Sequence, residues 1–102
     1  MAVRTLDQAG VEAALKTLHV GWSGTPSGLR RSVEFADFAT AVEFIVRLAD
    51  HAERLDHHPD LDLRWRRVDV ALSTHSAGGV TELDVRLAGV VDGVAAGLPQ
   101  AG

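Results

Sequence analysis

Apolar residues along the chain switch between a spacing near 3.6 and strict alternation, and each switch marks an element. Val11, Ala14, Leu15 and Leu18 recur at helical spacing behind Thr5 and Gln8, a capping-box pair, which predicts a helix over about residues 6–18. Residues 21–28 (GWSGTPSG) read as a turn-rich connector with Trp22 as its one large apolar anchor. Leu29, Val33 and Phe35 then alternate with Arg30, Ser32 and Glu34, the pattern of a half-buried strand. Asp37 is a good N-cap for a second helix, with an expected apolar stripe of Phe38, Ala41, Val42, Ile45, Val46, Ala49, Ala52 and Leu55. Pro59 disfavours helical geometry at His58, so this helix is expected to stop at Asp56 or His57.

Val68, Val70 and Leu72 alternate with Asp69, Ala71 and Ser73 as a further strand. Leu63 and Trp65 are out of phase with it, which predicts a bulge or a strand break near Arg66-Arg67. His75 falls at the end of this strand, and 76–79 (SAGG) form a loop. Thr81 and Asp84 have capping-box spacing, and Val80 and Val85 stand at the staple positions. Leu87, Val91, Val94 and Leu98 continue a third helix towards the stop signals Gly97 and Pro99. Helix, strand, helix, one or two strands, helix is the order of an α+β fold with an antiparallel sheet.

Length changes this picture little. The 102 residues make one domain, with 5–96 as its core and 97–102 as a tail. A chain this size buries roughly 65% of its unfolded surface, so oligomerisation is a natural further source of stability. Its 46% hydrophobic and 24% charged residues are ordinary for a globular protein. No apolar run approaches the ~20 residues that cross a bilayer. The start, MAVRTLDQ, has no signal-peptide core, so a cytoplasmic location with no membrane partner is expected. With no cysteine, thiolate chemistry and Cys-based zinc sites are excluded. The net charge of −4 argues against nucleic acid, and 64–67 (RWRR) read as a solvated strand.

The chemistry-bearing stretch is 53–60, ERLDHHPD. Three readings compete for it. A metal site is weak, because adjacent histidine side chains diverge and no HExxH or Cys/His zinc spacing is present. A solvated helix end, where the macrodipole favours an imidazolium, is the plainest reading of a lone pair, and His19 and His51 receive it. Acid–base chemistry is the third. Imidazole titrates near about pH 6.5 and can give or take a proton at neutral pH. Histidines oriented by carboxylates could protonate a departing hydroxyl and accept a proton from nitrogen. Glu53, four residues before His57, is placed to orient that ring, and Asp56 or Asp84 could serve another.

Taken together, Glu53-x-x-x-His57-His58-Pro59, then Trp65, His75 and Asp84, resemble the signature of the pterin-4a-carbinolamine dehydratases. Residues 74–84 (THSAGGVTELD) are similar to that family's THxxGGLTxxD segment, and Gly21-Trp22 and Phe35-Ala36-Asp37-Phe38 fall where members carry similar residues. The resemblance runs from about residue 6 to 92. It implies a four-stranded antiparallel sheet with three helices packed on one face, assembled as a homodimer or homotetramer. Ser27–Phe35 and Leu61–Thr74 would then each have to supply two strands. The implied reaction is dehydration of 4a-hydroxytetrahydropterin to quinonoid dihydropterin, a pterin-recycling step without metal or redox cofactor. His57, His58 and His75 match the family's catalytic histidines. Glu53, Asp56, Asp84 and Trp65 match substrate-binding or orienting positions, Trp65 more as a packing residue than as a stacking ring. The resemblance also allows a non-catalytic interaction or assembly role on the same fold. Leu61, Arg64 and Arg66 depart from the family pattern after the HHP motif, which bears on the pocket wall or a subunit contact.

Overall fold

A computed structural model describes residues 4–102. Helix α1 spans Gln8–Leu15, β1 Ser23–Thr25, β2 Gly28–Glu34, α2 Phe38–Leu55, β3 Asp60–Arg64, β4 Arg67–Leu72 and α3 Glu82–Ala96. The four strands form one antiparallel sheet in the order β1-β2-β4-β3, with the helices packed on one face. Leu29 and Val33 of β2 and Val68, Val70 and Leu72 of β4 point into the core. There they meet Val11 of α1, Ala41, Phe44 and Leu48 of α2, and Leu87, Ala88 and Val91 of α3.

Local chemistry sets most element ends. Asp37 caps α2 by accepting from the Thr40 backbone N–H at 2.8 Å and the Thr40 hydroxyl at 2.7 Å. These bonds hold its carboxyl below the ordinary aspartate range. The α3 capping box forms between Thr81 and Asp84 as the sequence predicts. Helix α1 is shorter than expected. Asp7, not Thr5, caps it by accepting from the Gly10 N–H at 2.8 Å, and Thr5 instead bridges to Thr81.

Two further expectations are corrected, the first strand and the α2 stripe, while the expected strand break holds. The first strand lies inside the connector, as Ser23–Thr25, so Ser27–Phe35 supplies one strand and not two. The phase break near Arg66-Arg67 is a hairpin turn, since Arg64 pairs with Arg67 and leaves Trp65 and Arg66 as a two-residue loop. Such loops favour glycine at their first position, and Trp65 occupies it at φ 53°. The buried stripe of α2 is Ala41, Phe44, Leu48 and Ala52, so Phe38, Val42 and Val46 are exposed. Leu98 is buried, and the segment 97–102 returns to the sheet, with Ala36 N–H donating to Pro99 O and Ala101 N–H to Glu34 O.

A buried guanidinium lies among the apolar side chains of the sheet. Arg31 is in phase with Leu29 and Val33, lies almost fully buried, and pairs with Asp92 of α3. Asp92 also accepts from Trp22 Nε1 at 2.7 Å and from the His19 backbone N–H at 2.9 Å, tying the connector to the sheet and α3.

Candidate active site

The end of α2 aims two consecutive histidines in opposite directions. Asp56 adopts a left-handed conformation at φ 49°, and its N–H donates to Ala52 O and Glu53 O. The His57 N–H reaches back to Ala52 O at 3.1 Å, the long bond of a Schellman-type ending. This reversal breaks the helical spacing that suggested a Glu53–His57 pair. His57 turns inward and is 9% exposed, while His58 points to solvent. Glu53 reaches His58, with Oε2 and Nε2 2.6 Å apart.

His57 instead meets the start of α3. Its Nε2 lies 2.6 Å from Oδ1 of Asp84, which is fully buried. The other oxygen, Oδ2, accepts from the Thr81 N–H at 2.9 Å and the Thr74 hydroxyl at 2.8 Å. The Thr74 and Thr81 hydroxyls are 2.7 Å apart, so with Thr74 donating to Asp84, Thr81 donates to Thr74. A residue that caps a helix thus also fixes an imidazole. The carboxylate can only accept, so His57 presents Nε2–H to it and leaves Nδ1 free to take a proton. The same reasoning applied to Glu53 leaves Nδ1 of His58 free.

His75 follows β4, one residue after Thr74, and opens a single 3₁₀ turn, His75–Ala77, instead of ending the strand. The turn closes tightly. Gly78 sits at φ 79°, and a Cβ on Gly79 would lie 2.6 Å from Pro26 O, so both positions call for glycine. His75 is exposed, and its Nε2 is 3.9 Å from Oδ2 of Asp60, the first residue of β3. Asp60 escaped the sequence reading, although it directly follows the HHP motif. It lies beside the third imidazole without a hydrogen bond to it, unlike Asp84 at His57 and Glu53 at His58.

The three histidines therefore gather at the open end of the β3–β4 hairpin. Each has a carboxylate close to Nε2, and the set spans burial from full to nearly none. The Asp56 side chain pairs with none of these rings; its contribution is the backbone reversal. Trp65 is not brought to the site. It sits at the hairpin's closed end, five residues of β3 away, which is roughly 17 Å of strand. Its ring is 69% exposed, so it packs in no core, and the Arg66 guanidinium stacks 4.6 Å from its centroid. Among the described residues no group of three or more histidines and carboxylates is arranged to hold a metal ion.

The family pattern described as pterin 4 alpha carbinolamine dehydratase matches residues 4–94. A protein of Mycolicibacterium vanbaalenii named "Putative pterin-4-alpha-carbinolamine dehydratase" is 50% identical over 92% of this chain and 98% of its own. One of the same name from Mycobacterium avium is 47% identical over 92% and 97%. A crystal structure from Brucella melitensis, described as a transcriptional coactivator/pterin dehydratase, superposes with a TM-score of 0.86 at 40% identity, covering 90% of this chain and 99% of that one. A pterin dehydratase-like protein described as a RuBisCO assembly factor of the alpha-carboxysome superposes at 0.60 with 25% identity, covering 72% and 86%.

Proposed function

Because this chain belongs to the pterin-4a-carbinolamine dehydratase family, we propose that it dehydrates a 4a-hydroxytetrahydropterin to the quinonoid dihydropterin in a cytoplasmic pterin-recycling step. The observation that carries this reading is the set of three imidazoles, each with a carboxylate close to Nε2, at one end of one hairpin. The reaction breaks the C4a–O bond. One group protonates the departing hydroxyl, another takes the N5 proton, and water leaves. His57 has the features of the base, since the Asp84 carboxylate faces the Nε2–H and stabilises the imidazolium formed when Nδ1 accepts a proton. His75, solvent-facing with Asp60 alongside, has those of the acid. His58, held by Glu53, follows His57 in the chain and faces solvent, where it can assist either proton transfer. The reading involves no nucleic acid partner.

The test is the absorbance decay of freshly generated 4a-hydroxytetrahydropterin with wild type and with a His57→Ala/His75→Ala variant. Acceleration by the wild type alone establishes reaction and site together. No acceleration by a folded wild type overturns the reading.

A second reading, an interaction or assembly role, is favoured by the exposed α2 face of Phe38, Val42 and Val46. A contiguous apolar face of this kind marks a contact surface, and a homodimer or homotetramer would also cover it. Pull-down with a Val46→Glu variant separates the two roles. Loss of a partner with dehydration intact assigns that face to association and the hairpin end to chemistry.

A further inference from the structure

The sheet's open face holds a depression of about 790 Å³ that starts at Asp60, beside His75. Across the strands one row of the ladder reads Asp60, Ala71, Arg30, Ser23. At about 4.8 Å per strand, Arg30 stands roughly 10 Å from Asp60, with only the Ala71 methyl group between them. Arg30 differs from its neighbours. Arg64 pairs with Asp62, Arg66 with Glu34 and Arg67 with Asp69, whereas among the described residues no carboxylate lies within ion-pair distance of Arg30. The acids on this face are correspondingly occupied. The Ser32 hydroxyl, 2.6 Å from Asp69, holds that carboxyl below the ordinary aspartate range, with Arg67 adding to the effect.

A second hollow of about 390 Å³ shares Arg30 and Ser23, and its remaining lining is Gly24, Thr25, Ser27 and Gly28. One free guanidinium ringed by hydroxyls, with no acid in the lining, is an oxyanion environment. We propose that Arg30, with Ser23, Thr25 and Ser27, binds an oxyanion, a phosphate ester or a carboxylate, at the end of the substituent on the pterin ring. The substrate is then an anionic-tailed 4a-hydroxytetrahydropterin, its ring at the histidines and its tail lying over Ala71. This rests on the dehydratase reading for the ring and on the open face for the tail.

The test measures kcat and KM for three 4a-hydroxytetrahydropterins whose 6-substituents end in a neutral hydroxymethyl group, its phosphate ester and a carboxylate. Wild type is expected to show a KM at least about tenfold lower for one of the anionic tails, with kcat similar. In Arg30→Gln the ratio of kcat/KM for that anion to the neutral compound falls to about one, and Arg30→Lys restores part of it. Using a ratio within each variant removes any effect on folding. The tail with the larger ratio distinguishes phosphate from carboxylate. Equal KM values for all three in wild type, or a preference that survives Arg30→Gln, overturns the proposal. If wild type turns over none of them, titration of oxidised pterin-6-carboxylate and 6-methylpterin by fluorescence decides separately. A carboxylate preference lost in Arg30→Gln keeps the subsite while the dehydratase reading falls, and no preference removes both.

Discussion

His57–Asp84 and His58–Glu53 are neighbouring pairs with the same 2.6 Å separation, yet they differ in everything that gives such a pair its energy. The first is enclosed, and its carboxylate accepts three hydrogen bonds at the start of a helix. The second stands in water, with both side chains more than half exposed. Burial makes the first pair obligatory, because removing one partner strands the other's polar atoms away from solvent. It leaves the second replaceable, because water takes the place of either partner. One pair fixes an imidazole for chemistry and for the fold together; the other positions a ring at modest cost.

The largest effect that sharpens this contrast is expected from Asp84→Ala. It strands His57 Nε2, the Thr81 N–H and the Thr74 hydroxyl, and is expected to cost about 3–5 kcal/mol. That is a large part of the ~5–15 kcal/mol typical of a domain, and urea titration would show it. Next comes His57→Ala, expected to lower dehydration about 10²–10⁴-fold while the protein remains folded, as read by kcat and circular dichroism side by side. Exchanging Asp56 for glycine relieves a left-handed non-glycine residue and should raise stability by up to about 1 kcal/mol, whereas valine there should lower it by more. Glu53→Gln should change stability by no more than about 1 kcal/mol, and the change should disappear at 1 M salt. An Asp84-sized loss from Glu53→Gln would break the comparison.

The smallest effect is one of pH. Asp69 is more acidic folded than unfolded, so the native state binds fewer protons there, and its stabilisation exists above the ordinary aspartate pKa and fades as pH falls through the lowered value. Ser32→Ala removes the main cause of that shift. Its stability deficit should therefore be present at pH 7 and vanish at the acid end of a titration.

The sequence showed what local chemistry decides. Asp37 and Thr81 cap where they were expected to, because capping needs only the next three residues. The HHP motif and His75 flank the two chain ends of one strand pair, which follows from the hairpin between them. What stayed hidden depended on geometry that spacing does not carry. The Glu53–His57 pairing failed because one left-handed residue, Asp56, rotates the chain by a step that helical periodicity cannot anticipate. The β3–β4 break showed as a loss of phase near Arg66-Arg67, whereas β1 was missed because Ser23-Gly24-Thr25 carries no apolar alternation and sits among turn formers. The α2 stripe was misassigned because apolar residues occupy two faces, and only the sheet determines which is covered. Arg31 was readable in principle, being a charge in the inward phase of an alternating strand.

The two tryptophans give the molecule a built-in pair of optical probes. The chain has no tyrosine, so its near-ultraviolet emission comes from Trp22 and Trp65 alone. Trp22 is 6% exposed and bonded to Asp92, whereas Trp65 is 69% exposed at the hairpin tip. Iodide should quench the red-shifted Trp65 signal and spare the blue-shifted Trp22 signal. Loss of the blue component then reports the opening of the core, while the red component follows only what touches the hairpin tip.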